Sequence, residues 1–583
     1  MNSGLSELDS LLQLKTLPKE LFQEMIALKH LKRDDEEFYF KIIKKFLTEA
    51  KIDLCNYAVL AIEQDENAFD ISRVMEDLLP FADVNIKSLI KLLRFFQDGM
   101  KNDMSTYKQY ISIENLADQQ PATVKTLLEN LMSIDEEVFS NYISCIIIKL
   151  SASEFNFYHN FALVNLGNVD EIYVRCGLIN ALSRMKYSLP EKESQLALTL
   201  KAFDELESSL DSKIIYSVVG AYGNLLSTEI DVTSNILNYS NSPVDELRYT
   251  VSHTLFIKSD DFLYEKWFEK CVHNFHNESF MHKGTLDHID YIMADYVKKD
   301  NSGFAIDFLI DWVLNSDCDF SENSNLCEIF NSTFSELTND KTSLEKLLTY
   351  ILMHDDNRVH RCLLQIASYI GHNKTKIGLC PILIKNLSIS ELLYILRKSL
   401  ANFYTIEMLS TIALSILAVR VNDENVVRLI NEFFTNNIAY EYYHSSVEIL
   451  DQKILSSDDE MKNVLISIKR SVTEKYQNIF VLPPLKELRN SNQKYVQLEK
   501  ARATTFQKAM DSANNKSVFL SMVTTTPLKY GNKFTSYFKG SYQPPSKLSQ
   551  LSHSIEIPLS EILHPVHSAF DKFHFRRVKK GDR

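Results

Sequence analysis

A chain of 583 residues, 45% hydrophobic and 24% charged, is too long for one ordinary core, which stops growing near ~250–300 residues. It is also too apolar for a disordered chain. A net charge of −14 sets the overall field of the molecule against polyanions. The eight cysteines (Cys55, Cys145, Cys176, Cys271, Cys318, Cys327, Cys362, Cys380) are scattered, with no C-x-x-C pair. That spacing suits buried free thiols in a reducing compartment rather than a disulfide framework.

The opening stretch MNSGLSELDSLLQLKTLPKE has early acids and no basic region followed by a long apolar run, so it is not read as a secretory signal. The most apolar stretches, 142–150 and 411–419, fall well short of the ~20 residues that a bilayer demands. A membrane span is therefore not expected, and a cytoplasmic protein is, or a nuclear one in a eukaryotic source. Before residue 480, apolar residues recur at helical spacing. Ile86, Leu89, Ile90 and Leu93 lie at i, i+3, i+4 and i+7, and Ile406, Leu409, Ala413 and Ile416 follow a similar pattern. These are faces of amphipathic helices. Six of the thirteen prolines fall in residues 1–480 and seven in the remainder, so the body is expected to be long helices joined by short turns.

A weak internal repeat runs through that body. Asp170–Arg175 (DEIYVR), Asp356–Arg361 (DNRVHR) and Asp423–Arg428 (DENVVR) each lead into an apolar helix. Asp211–Tyr216 (DSKIIY) and Pro243–Arg248 (PVDELR) are degenerate copies. Their spacings are loosely compatible with multiples of a ~40-residue unit. Asp at a helix start accepts orphan backbone N–H groups and suits the positive end of the dipole. An Arg one turn later can reach the acid of its own unit or the next, and the apolar residues beyond it form the face that neighbouring units bury.

This arrangement resembles HEAT repeats, whose second helix opens with an Asp and a Val-Arg pair, as Asp170 does with Val174 and Arg175. An armadillo-like arrangement is equally compatible. The resemblance implies an all-α fold, an irregular HEAT-like right-handed α-solenoid, with Asp170, Arg175, Arg248, Asp356, Arg361, Asp423 and Arg428 as ladder residues between repeats. It also implies an extended surface that binds proteins or nucleic acid without catalysis.

Several clusters offer chemistry. Cys271, His273 and His276, followed by His282, Asp287, His288 and Asp290, contain metal-competent side chains, but no H-E-x-x-H and no i, i+4 histidine pair on one helix face. His354, Asp355, Asp356 and His360 form a second group. His553, Glu556, Glu561, His564, His567, Asp571 and His574 form a third, with helical spacing at 564/567 and 567/571. All three are expected to be structural, so no metal and no catalytic residue is assigned. With thirteen glycines and no P-loop, dinucleotide or nucleophile-elbow motif, neither a cofactor nor a small-molecule substrate is expected.

The last 103 residues differ in charge. From residue 481 there are 17 Lys/Arg against seven Asp/Glu, a net of +10, which leaves −24 on residues 1–480. This asymmetry flags an anionic partner. The expected domains are an acidic helical body over 1–480 and a small basic α+β module over 481–583. Within the module, 485–513 reads as a polar helix and 517–526 as a strand turning at 530–533 into a second strand over 534–538. Lys529, Tyr530, Lys533, Tyr537 and Lys539 interleave cations with aromatics, the physical recipe for single-strand nucleic-acid binding. Arg576, Arg577, Lys579 and Lys580 form a terminal basic run resembling a nuclear import signal. The expectation is a non-enzymatic interaction scaffold with protein partners and the basic tail docked on acidic surface. The alternatives are nucleic-acid binding through the tail, or an enzyme whose site carries no motif.

Overall fold

The computed structural model describes residues 3–31, 36–64, 66–99, 107–187, 192–207, 211–226, 228, 231–318, 320, 325–372, 377–481, 492–516 and 558–582, together with the paired residues 533–534, 537–538, 541–542 and 546–547. Helices dominate. They group into two units: residues 1–295 with 315–317, and 296–314 with 318–583. The charge change near residue 481 is thus a boundary of composition that falls inside the second unit.

In the first unit, Ala68–Leu78 (α1), Tyr107–Gln119 (α2), Glu137–Ser151 (α3), Ile172–Arg184 (α4), Ser212–Leu225 (α5) and Asp245–Ile257 (α6) pack each on the next. The helices between them, Ile86–Gly99, Pro121–Leu131, Phe155–Asn168, Glu193–Leu206 and Thr233–Ser240, form a second layer against the first. The 3.6-residue period explains why. On α3, Phe139, Tyr142, Ile143, Ile146, Ile147 and Leu150 are all buried, covering one broad face that a neighbour on each side must close. Two glycines set how closely neighbours approach. A Cβ on Gly177 of α4 would stand 2.6 Å from the Ser140 backbone oxygen of α3. One on Gly223 of α5 would meet Thr254 of α6 at the same distance.

The repeat unit is visible in the polar contacts. Arg94 clasps Glu136 with two bonds of 2.9 and 2.7 Å, 42 positions apart. The Tyr173 N–H donates to Asp135 (2.8 Å, 38 positions), and Asn224 donates to Ser183 Oγ (3.0 Å, 41 positions). The second unit repeats the pattern. The Tyr394 hydroxyl donates to the His354 carbonyl (2.7 Å, 40 positions) and the Tyr442 hydroxyl to the Tyr404 carbonyl (2.8 Å, 38 positions). Lys475 donates to Asn436 (2.7 Å, 39 positions). Equivalent points on successive helix pairs are fastened at the ~40-residue period of helical repeat arrays.

The second unit contains Lys341–Met353 (α7), Asn357–His372 (α8), Ile389–Asn402 (α9), Ile406–Val419 (α10), Glu424–Phe433 (α11), Tyr443–Ser456 (α12) and Asp459–Phe480 (α13). A π-helical turn, Phe434–Ile438, follows α11 directly. Helix α9 opens on a capping box, with the Ser388 hydroxyl on the Glu391 N–H and the Glu391 carboxylate on the Ser388 N–H, so two orphan donors are satisfied reciprocally. Then come Asn492–Lys516 (α14), the short Leu559–Leu563 (α15) and Pro565–Arg577 (α16).

Of the polar helix expected over 485–513, the described part is helical, within Asn492–Lys516, and residues 485–491 lie outside the described residues. The strand expected over 534–538 is divided between two later partners. Lys533–Phe534 pairs antiparallel with Ser546–Lys547, and Tyr537–Phe538 with Ser541–Tyr542. The chain reverses after Phe538, with two residues between the paired Phe538 and Ser541, the length of a tight hairpin connection. The strand expected over 517–526 lies outside the described residues, as do Lys529, Tyr530, Lys539 and the side chains of Lys533 and Tyr537. All eight cysteines are free thiols, seven of them buried. No described helix is long and apolar enough to cross a membrane.

Candidate functional site: the seam of the C-terminal helix

The ladder residues behave unevenly. Asp211 and Asp423 each cap a helix, accepting from the Lys213 N–H and from the Asn425 and Val426 N–H groups. Asp356 accepts from the Arg358 N–H at 2.8 Å. Asp170 does not cap α4. Glu171 stands at that position without a side-chain bond, and Asp135, one helix pair earlier, takes the Tyr173 N–H instead. Asp356 and Asp423 pair with Arg358 and Arg420, because these guanidiniums lie next to the caps rather than a turn inside the helix. Arg361 and Arg428 are exposed, with Arg428 on Asn425 at 3.2 Å. The Arg175 Nε is buried without a hydrogen-bond partner among the described residues.

Arg248 bridges to an acid of the next helix pair. It is buried, donates to Glu278 at 2.7 Å, to the Ser240 and Asn274 carbonyls and to Asn277 Oδ1, and lies 4.7 Å from the centre of the Phe275 ring.

The histidine-rich segment does not gather Cys271, His273 and His276 around one point. Cys271 is fully buried, its thiol pushed up to about 12 by burial, and His273 stacks on His276. Among the described residues, the one group of three metal-competent side chains with ligand atoms within 4.8 Å of one another is Asp245, Glu278 and His282. There the His282 Nδ1 is 2.6 Å from Glu278 and its Nε2 is 3.2 Å from Asp245. With both ring nitrogens against carboxylates, the geometry is that of a bridging imidazolium, and the Glu278 hydrogen bond raises the His282 pKa.

The C-terminal cluster is more informative. Helix α16 packs along α9, and polar groups close the seam. Buried Lys398 on α9 donates to the Arg576 carbonyl at 2.6 Å, and Arg397 donates to the Asp582 carbonyl at 3.1 Å. In return, Arg576 Nε donates to the Ala401 carbonyl at 3.3 Å, and its Nη2 to the Tyr404 hydroxyl at 3.4 Å. Lys580 lies 3.9 Å from Asp355. A cation against the last carbonyls of a helix meets the negative end of its dipole. Burial lowers the Lys398 pKa to about 8, while Asp355 opposes the shift. Arg576 and Lys580, two of the expected anion-binding residues, thus contact their own unit. Arg577 turns outward over the Phe573 ring, 4.2 Å from its centre, and Lys579 is exposed.

The seam encloses a half-open cavity of about 320 Å³. Phe403, Tyr404, Tyr440 and Phe575 give it aromatic walls, and Glu441 and Asp571 give it carboxylates. One Glu441 oxygen accepts the Ser560 N–H at 2.9 Å, which tethers the start of α15. His567 lies 3.4 Å from Asp571, and Lys572 pairs with Glu561 at 2.7 Å. His564 also lines the cavity, whereas His553 and Glu556 lie outside the described residues. The sequence cluster had located the α16 half of this cavity. The half formed by α9 and the π turn carried no local signal.

The outward face of α16 is apolar. Val566 is 83% exposed, Phe570 64% and Phe573 48%. At i, i+4 and i+7 they share one stripe. Nearly all the described side chains of α14 are exposed as well, with Val496, Phe506 and Met510 open to solvent and Arg502 4.0 Å from Glu561.

No family model matches this chain. No curated protein matches it either. Forty-two chains of solved structures do. One of them comes from a structure described as "A conserved phosphorylation switch controls the interaction between cadherin and beta-catenin in vitro and in vivo". It is 10% identical, covers 79% of this chain and all of its own, and gives a TM-score of 0.22. A similarity of that size assigns no partner to this chain.

Proposed function

We propose that the chain is a non-enzymatic interaction scaffold whose ~40-residue helix pairs are HEAT-like repeats, stacked right-handed within each unit. The observation that carries this reading is the stripe Val566, Phe570 and Phe573 on a helix whose opposite face is already seated on α9. Exposed apolar residues grouped on one face mark an interaction site, and i, i+4, i+7 anchors are the spacing by which a helix enters an apolar groove. Arg577 continues the stripe four residues after Phe573, so the groove that fits is a protein surface with a carboxylate at that end.

The test is affinity capture with the full-length chain and with F570A/F573A. Partners retained by the first and lost by the second support the reading. Equal recovery with both, or no partner with either, counts against it. A truncation at residue 480 is a poor substitute, because it strips α16 from α9 and exposes a face that is normally covered.

A further inference from the structure

We propose that the seam cavity between α16, the end of α9 and the π turn is a recognition site for an organic cation, an ammonium or guanidinium group. Its chemistry is aromatic and acidic together. Five rings (Phe403, Tyr404, Tyr440, Tyr442, Phe575) and two carboxylates (Glu441, Asp571) line about 320 Å³, at the small end of the range for ligand pockets. Ring faces attract cations through their quadrupoles, and a partly desolvated carboxylate adds direction. An anionic ligand would meet two negative charges.

Three basic side chains also line the cavity, His564, His567 and Lys572. The Lys572 ammonium is drawn 2.7 Å from Glu561, which neutralises it. It also stands 4.5 Å from the centre of the Tyr404 ring, so the wall already holds a cation supplied by the chain itself. Glu441 spends one oxygen on the Ser560 N–H and Asp571 one on His567. Among the described residues, the second oxygen of each makes no hydrogen bond. The π turn supports the assignment, since single-turn departures of this kind cluster at functional sites. Here the turn and the residues after it bring Asn437, Tyr440 and Glu441 to one wall.

Two sources can supply the cation: the side chain of a protein partner, or a free amine or guanidine. The first deepens the scaffold reading and rests on it, while the site itself does not. Titration calorimetry on the full-length chain, with methylguanidinium, ethylammonium and the capped tripeptides Gly-Arg-Gly and Gly-Lys-Gly as probes, tests both. Saturable binding is expected, weakened fivefold or more by E441Q and by D571N, each of which retains a carbonyl acceptor. Circular dichroism and the melting temperature establish that the variants are folded. A tripeptide binding tenfold tighter than the matching free cation assigns the site to a partner side chain, and equal binding assigns it to a free cation. No saturable binding of any probe to folded wild-type chain, or binding indifferent to both variants, overturns the proposal. Because Phe570 and Phe573 do not line the cavity, partner capture through the α16 stripe can succeed while the cation site fails, and the reverse.

Discussion

Lys398 donates its ammonium to the main-chain carbonyl of Arg576 across 178 positions of sequence, and it does so while 1% exposed. This bond fastens α16 to α9 and sets the first prediction. Truncation leaves the Arg576 carbonyl unpaired, at about 1–3 kcal/mol. At neutral pH it also relieves the cost of burying a charged ammonium, so K398A should destabilise the second unit by less than that at neutral pH and speed hydrogen exchange in α16. The pH dependence has a definite sign. The folded pKa of about 8 lies below the ordinary 10.5, so between these values the unfolded chain binds the extra proton and stability rises with pH. At about 1.4 kcal/mol per pKa unit, the advantage of wild type over K398M should grow by about 3 kcal/mol from pH 8 to 10.5. Denaturant unfolding at several pH values reads it.

His282 should behave in the opposite sense. Its pKa is raised, first by the Glu278 hydrogen bond and then by Asp245 and Asp317. The folded form therefore binds the proton more tightly. The stabilisation is fully present below the unfolded value of 6.5 and disappears as the pH climbs through the folded one. An NMR titration should place the His282 midpoint above 6.5, and H282Q should flatten the difference in melting temperature between pH 6 and pH 8. A midpoint below 6.5 would remove the bridging imidazolium.

Gly177 and Gly220 make a matched pair. A Cβ at 177 meets a backbone oxygen at 2.6 Å, whereas one at 220 meets only the Thr250 methyl, at 3.9 Å. G177A should cost about 1–3 kcal/mol through forced separation of α3 and α4. G220A should be neutral or stabilising by up to about 1 kcal/mol through helix propensity. If both variants unfold at the same denaturant concentration, the close approach of α3 and α4 is not a constraint on stability.

The α16 stripe separates binding from folding. Phe570 and Phe573 are open to solvent, so F570A and F573A should leave stability within about 0.5 kcal/mol. Partner retention should fall at least tenfold, as for a central anchor at an interface. A large loss of stability would mean that the stripe is core and not surface.

The helices and their period were legible in the sequence because burial on one face imposes a 3.6-residue pattern, and helix pairs of one size impose the longer one. The polar ladder was legible in kind but not in membership. Any Asp at a helix start can cap, yet which arginine meets it depends on the turn geometry, and so Arg358 and Arg420 replaced Arg361 and Arg428. Arg248 fulfils the ladder role although its own copy of the motif lacks the leading Asp, because its acid, Glu278, comes from the next helix pair. The seam was half legible. Titratable residues at 561–574 flagged one wall, but the facing wall lies 120 to 170 positions earlier and is mostly aromatic, with Glu441 as its single carboxylate and no motif around it. The π turn has no composition of its own to betray it.

The fastening of Lys398 to Arg576 also has a temporal side. On the ribosome, at roughly 5–20 residues per second, the 178 residues between the two partners take on the order of 10–35 s to appear. During that interval α9 already exists, with its lysine and its seam face uncovered in a chain whose repeats have otherwise closed on their neighbours. The nascent protein thus passes through a stage in which the surface that α16 will cover lies open to chaperones, to other nascent chains and to premature partners. A chain interrupted anywhere before residue 565 would stay in that stage permanently.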